Sequence, residues 1–571
     1  MNNVNNIISK SFATRRSFFR YKSTVYALSS GLGKCGVAVI RVTGPRAESA
    51  IRKMTRHQSS DLPKPWTVML KNIRHPISQE IIDKGFVLWF PGPRSFTGED
   101  CCEFHIHGGT AVVNGVLEAL SCMETFKLAE PGEFTRRAFL NGKLNLTEVE
   151  GLADLLQAET EAQRKQAFLQ CSGALSNLYH RWKQILTHSL AHLEAYINFE
   201  ETETLEIGLT ELVVKDVKVL LKEIETHLKD GHKGELIRHG VKTVIIGEPN
   251  VGKSSLMNLL CRRPASIVTP ISGTTRDVIE VTLNISGYPL LLADTAGLRN
   301  SSQDIVELEG MSRTLDMYQK ANLVVLVLDF SRYFTWCQLH EDSCLKDYII
   351  SYTESLGVSD LVKNDPKSRV IQFNKECIVV MNKMDLDNEN ICSANFNENV
   401  VKLSCKSENG ISQLVDVLTQ HLKFLCGDPT KEHPSMNQQR HREQVRKCQQ
   451  NLKLFMNEVT KNEGSDVVIM AEYLKNAIGN LGKLIGTVTS EEILDVIFSE
   501  FCIEISKVTQ QHGLPAGFVS CQRLRCLTCP YLVEKNCKNV LLHKKNLLML
   551  KTINKSLFRR TAISNVYKRQ K

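Results

Sequence analysis

The chain has 571 residues, of which 42% are hydrophobic and 23% charged, the composition of an ordinary globular protein. This length exceeds what a single core supports and predicts about three or four domains. No uninterrupted apolar run reaches the roughly 20 residues of a membrane span, so we expect no stable membrane insertion. The formal charge of +9 comes from the two ends, because residues 1–23 and 504–571 are both basic. The acidic body between them confines any RNA contact to a local basic patch.

The composition of residues 1–23 predicts a mitochondrial import signal. The first 47 residues contain no Asp or Glu, and the opening stretch is rich in Ser and Arg with interleaved Ile and Phe. That is the composition of a mitochondrial presequence, although a disordered basic tail is the alternative. We therefore expect a protein of the mitochondrial matrix. The eighteen Cys, in the absence of a secretory signal, are expected to be reduced thiols.

Residues 24–145 predict an N-terminal α+β domain. The runs VYALSS, GVAVIRVTG and GFVLWF are short, β-rich and bounded by Gly or Pro.

A helical pattern covers residues 146–238 and returns over 427–503. Apolar residues recur every three to five positions, as on one face of a helix. A final helix is predicted to begin at the capping box formed by Thr489 and Glu492. We expect the two helical segments to pack together as one domain. The apolar positions are Leu175, Leu178, Trp182, Ile185, Leu190, Leu193, Ile197, Val445, Cys448, Leu452, Phe455, Val459, Leu474, Ile478, Leu481 and Ile485.

Residues 239–426, between the two helical segments, predict an inserted α/β domain. The runs VKTVIIG, LLLADTAG, ANLVVLVLD and CIVVMNKMD are continuous apolar strands that alternate with helical stretches. Such strands are typical of a parallel sheet that is buried on both faces. No internal repeat is present. The predicted fold is therefore multidomain: an α+β domain, a helical domain and an inserted α/β unit.

A phosphate-binding loop follows the first strand of the inserted domain. Gly247–Ser254 reads G-x-x-x-x-G-K-S between a strand and a helix. Its backbone N–H groups can cradle phosphates, Lys253 can reach the terminal ones as a catalytic cation, and the Ser254 hydroxyl can bind magnesium. The expected contacts are Asn250, Val251, Gly252, Lys253, Ser254 and Ser255.

Two later segments match the switch elements of GTP-hydrolysing proteins. Thr275, in the run SGTTRD, offers a second hydroxyl to magnesium. Asp294 ends an apolar strand and places a carboxylate behind the metal, while Gly297 lies beside the γ-phosphate. The expected contacts in this second switch are Asp294, Thr295, Ala296 and Gly297.

The motif NKMD, which follows CIVVM, selects guanine. The Asp385 carboxylate can accept the N1 and N2 protons of guanine, which adenine does not offer. The run SCK would close the base pocket. Four motifs in this order predict a GTPase, with base contacts from Asn382, Lys383, Asp385, Ser404, Cys405 and Lys406.

Two absences shape the expected mechanism. Leu298 stands where Ras-like proteins place the Gln that positions water, and Glu307 is our candidate for that role. The side-chain oxygen of Asn250 could hold a monovalent cation against the phosphates, in place of an arginine finger. Alternatively, Asn250 only caps the loop.

Several phrases resemble the MnmE/TrmE family of tRNA-modification GTPases, and the leader resembles that of a mitochondrial member. They are PRSFTGED, AEPGEFTRRAFLNGKLNLTEVE, GEPNVGKSSLMNLL, IVTPISGTTRD, DTAGLR, MNKMD and TSEEILDVIFSEFCI. The resemblance covers Thr24 to Ile503 and is dense outside the inserted stretch Ser331 to Lys375.

The resemblance implies modification of carbon 5 of the wobble uridine in tRNA, with taurine, glycine or ammonia as amine donor. It implies a tetrahydrofolate derivative as one-carbon source and a flavin-dependent partner of the MnmG/GidA type. It also implies a homodimer built on the N-terminal domains. GTP hydrolysis would be activated by potassium when the inserted GTPase domains (G domains) of two copies of the chain associate.

Site residues follow by matching positions. The resemblance implies potassium ligands Asn250, Thr269, Ile271 and Thr274, magnesium ligands Ser254 and Thr275, the water-positioning Glu307, and folate contacts Arg41, Glu103 and Lys143. One extra residue separates DTAG from Glu307. An Arg and a Lys suit the glutamyl carboxylates of a folate, and a carboxylate suits the pterin donors. Without the resemblance, these three would be ordinary surface or paired charges.

The C-terminus departs from the family pattern F-C-I-G-K. Here Phe501-Cys502-Ile503 continues into Glu504 and a basic tail, so the terminal Gly-Lys is missing. Cys502 is either a reactive thiol or a small buried hydrophobe. The tail is expected to be disordered. Zinc binding by Cys521, Cys526, Cys529 and Cys537 is the less favoured alternative.

Two rival functions remain open. One is a switch GTPase of mitochondrial ribosome assembly, which would need an appended RNA-binding fold, and no aromatic RNP strand is seen in the sequence. The other is an isoform that hydrolyses GTP without modifying tRNA, because the final Gly-Lys is absent.

Overall fold

The computed structural model describes residues 23–487 with internal gaps, together with Leu494 and Ile497. The chain divides into two compact units, Met1–Cys502 and Ile503–Lys571, and all described residues belong to the first. The predicted presequence, the capping box and the tail with its four Cys lie outside the described residues. The gaps are residues 32, 57–62, 200–207, 263–279, 294–314, 341–343, 364–370, 387–399, 429, 431–433 and 462–465.

The N-terminal domain is a mixed sheet with helices packed against it. Its six strands lie in the order β3-β4-β5-β2-β1-β6, and every neighbouring pair is antiparallel except β1 with β6. Apolar side chains of α1 and α2 pack on the buried face of the sheet. The elements are β1 (Thr24–Leu28), β2 (Cys35–Thr43), α1 (Ala47–Thr55), β3 (Met69–Arg74), β4 (Ile81–Phe90), β5 (Cys101–Gly108), α2 (Thr110–Ser121), β6 (Phe126–Leu128) and α3 (Glu133–Leu140).

The helical domain combines segments from both sides of the inserted domain. Apolar residues of the early helices α6 and α7 share one core with those of the late helices α12 and α13. The helices before the insertion are α4 (Leu146–Gln157), α5 (Glu161–Cys171), α6 (Ala174–Phe199) and α7 (Gly208–His239), and those after it are α12 (Gln439–Val459) and α13 (Val467–Ile485). The predicted layout, with an α/β unit inserted into a helical domain, is confirmed.

A buried ionic cluster joins the two helical segments. Glu150 on α4 accepts hydrogen bonds from both Arg440 Nε (3.0 Å) and Arg440 Nη2 (3.0 Å), and it contacts His441 Nε2 at 2.6 Å. Glu150 is 4% exposed and His441 is completely buried. Burial alone would raise the pKa of Glu150, but the charges of His441 and Arg440 outweigh it and lower the pKa to about 2.

The inserted domain is a six-stranded sheet in the order β12-β11-β10-β7-β9-β8, parallel except where β8 meets β9. Its central strand β10 is buried along its whole length, as a parallel sheet covered on both faces requires. The elements are β7 (Val241–Ile246), α8 (Lys253–Cys261), β8 (Glu280–Ile285), β9 (Tyr288–Ala293), β10 (Leu323–Asp329), α9 (Phe330–Leu339), α10 (Leu345–Ser355), β11 (Glu376–Asn382), β12 (Val400–Lys402) and α11 (Ile411–Cys426).

Candidate nucleotide site

The phosphate-binding loop connects β7 to α8. Gly252 caps the N-terminus of α8 with a φ of 104°, a backbone conformation that side chains rarely adopt. A Cβ on Gly252 would lie 2.2 Å from the side-chain nitrogen of Asn382. Glycine is therefore required here by both conformation and space. The first turn of α8 directs its N–H groups toward the mouth of the loop, where the helix dipole favours an anion.

Lys253 lies over this loop. Its Nζ donates hydrogen bonds to the carbonyl oxygens of Gly247 (2.8 Å) and Glu248 (2.7 Å). Burial lowers the pKa of Lys253, because a desolvated ammonium group is less stable than a hydrated one. The hydroxyl-bearing residues Ser254 and Ser255 that follow are exposed. The loop thus presents a cation and a free hydroxyl at one helix end, as a magnesium-bound phosphate requires.

Asn382 ties the phosphate-binding loop to the guanine motifs. Its side chain is 2% exposed; Nδ2 donates to the carbonyl of Val251 at 2.7 Å, and Oδ1 accepts from the N–H of Cys405 at 3.1 Å. One amide therefore fixes three segments that are distant in the sequence. Burial raises the pKa of Cys405 to about 11, so its thiol stays protonated at neutral pH.

The base-reading carboxylate is also held in place. Ser404 Oγ donates to Asp385 Oδ1 at 2.6 Å, and this hydrogen bond lowers the pKa of Asp385. Asp385 is exposed, and so is Lys406 beyond it. An ionised, oriented carboxylate at the edge of the sheet can accept two protons from a guanine base. The structure therefore brings together the phosphate-binding residues and the predicted base-binding residues.

Asp329, which the sequence analysis missed, holds Lys383 of the NKMD motif in place. Its carboxylate ends β10, is 4% exposed and accepts from Lys383 Nζ at 2.6 Å. Its other oxygen accepts from the N–H of Ser331 at 2.9 Å and so caps α9. The position of Asp329 at the carboxyl end of a buried parallel strand is the signal that could have found it, because ligands bind at that edge.

The switch residues and the thiol are not among the described residues. These predicted positions are Thr269, Ile271, Thr274, Thr275, Asp294, Thr295, Ala296, Gly297, Glu307 and Cys502. Their assignments remain predictions.

The predicted folate residues lie in the N-terminal domain. Arg41 on β2 faces Glu103 on β5, and Arg41 Nε donates to Glu103 Oε1 at 2.9 Å. The Arg41 guanidinium also lies 5.1 Å from the ring centre of Phe96. Lys143 Nζ donates to the carbonyl of Pro93 at 3.2 Å. The structure thus places Arg41 and Glu103 in direct contact. Lys143 contacts Pro93 in the loop between β4 and β5, and the same loop carries Phe96 beside Arg41.

The fold and the loop geometry define a multidomain P-loop protein whose inserted domain has the features of a guanine-nucleotide site. Two family models match the chain: the GTP-binding protein TrmE N-terminus over residues 24–143 and the MnmE helical domain over residues 146–502. The chain belongs to the MnmE/TrmE family, and the resemblance found in the sequence is confirmed.

The chain matches several relatives over nearly their whole length. The chain is 44% identical to the zebrafish (Danio rerio) protein named 5-taurinomethyluridine-tRNA synthase subunit GTPB3, mitochondrial, over 87% of this chain and 96% of that one. It is 43% identical to the human (Homo sapiens) protein of the same name, over 84% and 93%. It is 40% identical to tRNA modification GTPase MnmE of Parvibaculum lavamentivorans, over 84% and 99%. Within the described part of the chain, no helix combines the length and apolarity needed to cross a membrane.

Proposed function

We propose that this protein is the GTP-hydrolysing subunit of a mitochondrial assembly that modifies carbon 5 of the wobble uridine in tRNA. The relatives' names support the reaction and the compartment. The observation that carries the proposal is Asn382, whose amide links the phosphate-binding loop to the loop behind the base-reading Asp385. This link lets one site read both the phosphates and the guanine, which is the basis of GTP specificity.

In this site each assigned residue would have a definite task. Lys253 would bind the terminal phosphates and offset the charge that develops on them during transfer. The exposed Ser254 hydroxyl would bind magnesium together with Thr275. Asp385 would accept the guanine protons. Glu307 would position the attacking water. Magnesium supplies charge neutralisation between the phosphates when it is bound.

Potassium is part of the proposal. Asn250 is exposed at the tip of the loop with a φ of 65°, so its side chain is free to turn toward the bound phosphates. An amide oxygen is a suitable ligand for a hard monovalent cation. Thr269, Ile271 and Thr274 would complete the ligand set. A cation held there would add positive charge where an arginine finger does in other GTPases.

A tetrahydrofolate derivative fits the donors and acceptors around Arg41. The pterin ring of a folate offers N–H donors to Glu103, and the carboxylates of the folate's glutamyl tail suit a guanidinium or an ammonium. Glu103 already bonds Arg41 and lies 3.1 Å from His105 Nε2. Binding would therefore require the ligand to share or replace the Arg41 contact. Lys143 would serve the glutamyl tail.

The partners follow from the same family membership. We infer a homodimer built on the N-terminal domains, a flavin-dependent subunit of the MnmG/GidA type and mitochondrial tRNA as substrate. GTP binding and hydrolysis would drive association of the G domains of two copies of the chain and so reposition the helical domain into which each is inserted.

The function is tested in cells whose own copy of this gene is deleted. The full-length chain should restore the carbon-5 modification of wobble uridine, measured by mass spectrometry of mitochondrial tRNA, whereas Lys253→Ala should not. Lys242→Ala, an exposed lysine in the same domain, is the matched control and should restore it. Normal modification without the protein, combined with defective ribosome assembly, would favour the switch GTPase instead. GTP hydrolysis without restored modification would favour the non-modifying isoform.

The cation proposal has its own test, in which GTP turnover of the full-length protein is measured in potassium and in sodium. We expect faster turnover in potassium and loss of that gain in Asn250→Ala. Equal rates in the two salts would contradict a potassium site at Asn250 without affecting the proposal of GTP hydrolysis.

A further inference from the structure

One tyrosine of the inserted stretch Ser331 to Lys375 reaches the phosphate-binding loop. Tyr352 lies on α10, and its side chain is 4% exposed. Its hydroxyl accepts a hydrogen bond from the N–H of Glu248 at 2.7 Å and donates to the carbonyl of Val327 at 3.0 Å. The hydroxyl therefore bridges the start of the loop and the central strand β10. The hydrogen bond from the Glu248 N–H is short. The bond to the Val327 carbonyl is buried, where a low dielectric strengthens it.

The peptide group that Tyr352 contacts also holds Lys253. The N–H of Glu248 and the C=O of Gly247 belong to the same planar peptide unit, and in a trans peptide they point in opposite directions. Tyr352 takes the N–H of this unit, while Lys253 Nζ donates to its C=O at 2.8 Å. A rotation of the peptide would break both contacts at once. The position of the Lys253 amino group is therefore linked to the Tyr352 hydroxyl through one rigid plane.

Two further features surround the contact between Tyr352 and the Gly247–Glu248 peptide. A Cβ on Gly247 would lie 3.2 Å from the Tyr352 hydroxyl and 2.5 Å from the carbonyl of Val327, so glycine gives the tyrosine room to approach. The Glu248 side chain also forms an ion pair with Arg332 on α9. Helices α9 and α10 of the inserted stretch thus contact the same residue of the loop, one through its backbone and one through its side chain.

We propose that Tyr352 is a positioning residue for nucleotide binding, which holds the Gly247–Glu248 peptide so that Lys253 is aimed at the β- and γ-phosphates. This inference rests on the proposed function, because it assigns to Lys253 the phosphates of GTP. It gives the inserted stretch, where the family resemblance is weakest, a direct role in the nucleotide site.

The first test is GDP and GTP affinity of the full-length Tyr352→Phe variant, which keeps the buried ring and removes only the hydroxyl. Loss of a buried hydrogen bond that leaves an N–H unpaired predicts roughly tenfold weaker binding of both nucleotides. Tyr348→Phe is the matched control one turn earlier on α10. Its ring packs against Tyr333 and Trp336, and we expect unchanged affinity.

A double-mutant cycle separates positioning from a general structural effect. If Tyr352 acts through Lys253, adding Tyr352→Phe to Lys253→Ala should weaken GDP binding much less than Tyr352→Phe does alone. Additive losses, or an affinity of Tyr352→Phe equal to that of Tyr348→Phe, would overturn this inference while leaving the proposed function intact. A wild-type protein that binds no guanine nucleotide would overturn both.

Discussion

The inserted G domain and the helical domain around it unite distant segments by different contacts. In the G domain, β10 and β11 pair in parallel over seven residues of almost wholly apolar, buried sequence. In the helical domain, a buried carboxylate contacts an arginine and a histidine that lie 290 and 291 residues away. The G domain thereby keeps its polar side chains at the strand ends, where ligands bind. The helical domain instead buries the side chains of Glu150 and His441 in its interior, where they contact the partly buried Arg440.

The largest effect is expected where a buried charge is removed from its partners. Glu150→Gln should lower the free energy of unfolding at pH 7 by about 3–5 kcal/mol, because the partly buried Arg440 and the buried His441 would lose their carboxylate. Hydrogen exchange of amides in α12 measures the loss. Glu194→Gln is the control, since Glu194 pairs with Lys475 at the surface, and it should change little.

This effect should depend on pH with a defined sign. The pKa of Glu150 is lowered to about 2 from an ordinary value of 4.5. The ionised group therefore stabilises the fold above about pH 4.5, and this contribution is lost as the pH falls toward 2. The difference between wild type and Glu150→Gln should shrink over that range. A difference that stays constant from pH 7 to pH 3 would contradict the assignment of the charge.

A smaller effect is expected at a strand-end residue of the G domain, and it should fall on binding instead of stability. Asp385→Asn removes the charged acceptor for two guanine protons and should weaken GTP binding about 100-fold. The thermal unfolding midpoint should hardly change, since Asp385 is exposed. Ser407→Ala, at an exposed position of the adjacent loop, is the control. A stability loss as large as that of Glu150→Gln would erase the contrast between the domains.

The smallest effect is expected for an exposed ion pair of the helical domain. Arg181 and Glu223 lie 2.7 Å apart with about half of each side chain exposed (54% and 44%). Arg181→Ala should change the free energy of unfolding by no more than about 0.5 kcal/mol. Glu223 would keep its hydrogen bond from the Trp182 indole at 2.8 Å. A loss above about 1 kcal/mol by urea denaturation would show that charge matters in this domain even at its surface.

The same contrast explains what could be predicted from the sequence. Four strands of the G domain, β7, β9, β10 and β11, were predictable because each is a continuous apolar run, and the phosphate-binding loop and NKMD directly follow β7 and β11, so the signal is local. The multidomain layout was predictable for the same reason, from the change in hydrophobic period. The strands β8 and β12 were not predicted.

The remaining contacts depend on residues that meet only in the folded chain. Tyr352 contacts a loop residue 104 positions earlier, and nothing in the neighbouring sequence distinguishes it from Tyr348, the other tyrosine of α10. The burial of Glu150 is equally hidden, because a glutamate on a helix usually faces solvent. Arg41 and Glu103 were found only through family resemblance. Their direct pairing depends on the register of β2 with β5, which periodicity alone does not fix.

The most direct test of the account is hydrolysis of GTP and of ATP by the full-length protein, with Lys253→Ala and Lys242→Ala beside it. We expect turnover of GTP but not of ATP, a loss of at least about 100-fold in Lys253→Ala, and wild-type turnover in Lys242→Ala. Equal turnover of the two nucleotides, or full activity without Lys253, would contradict a single site that joins the phosphate-binding loop to the guanine motifs.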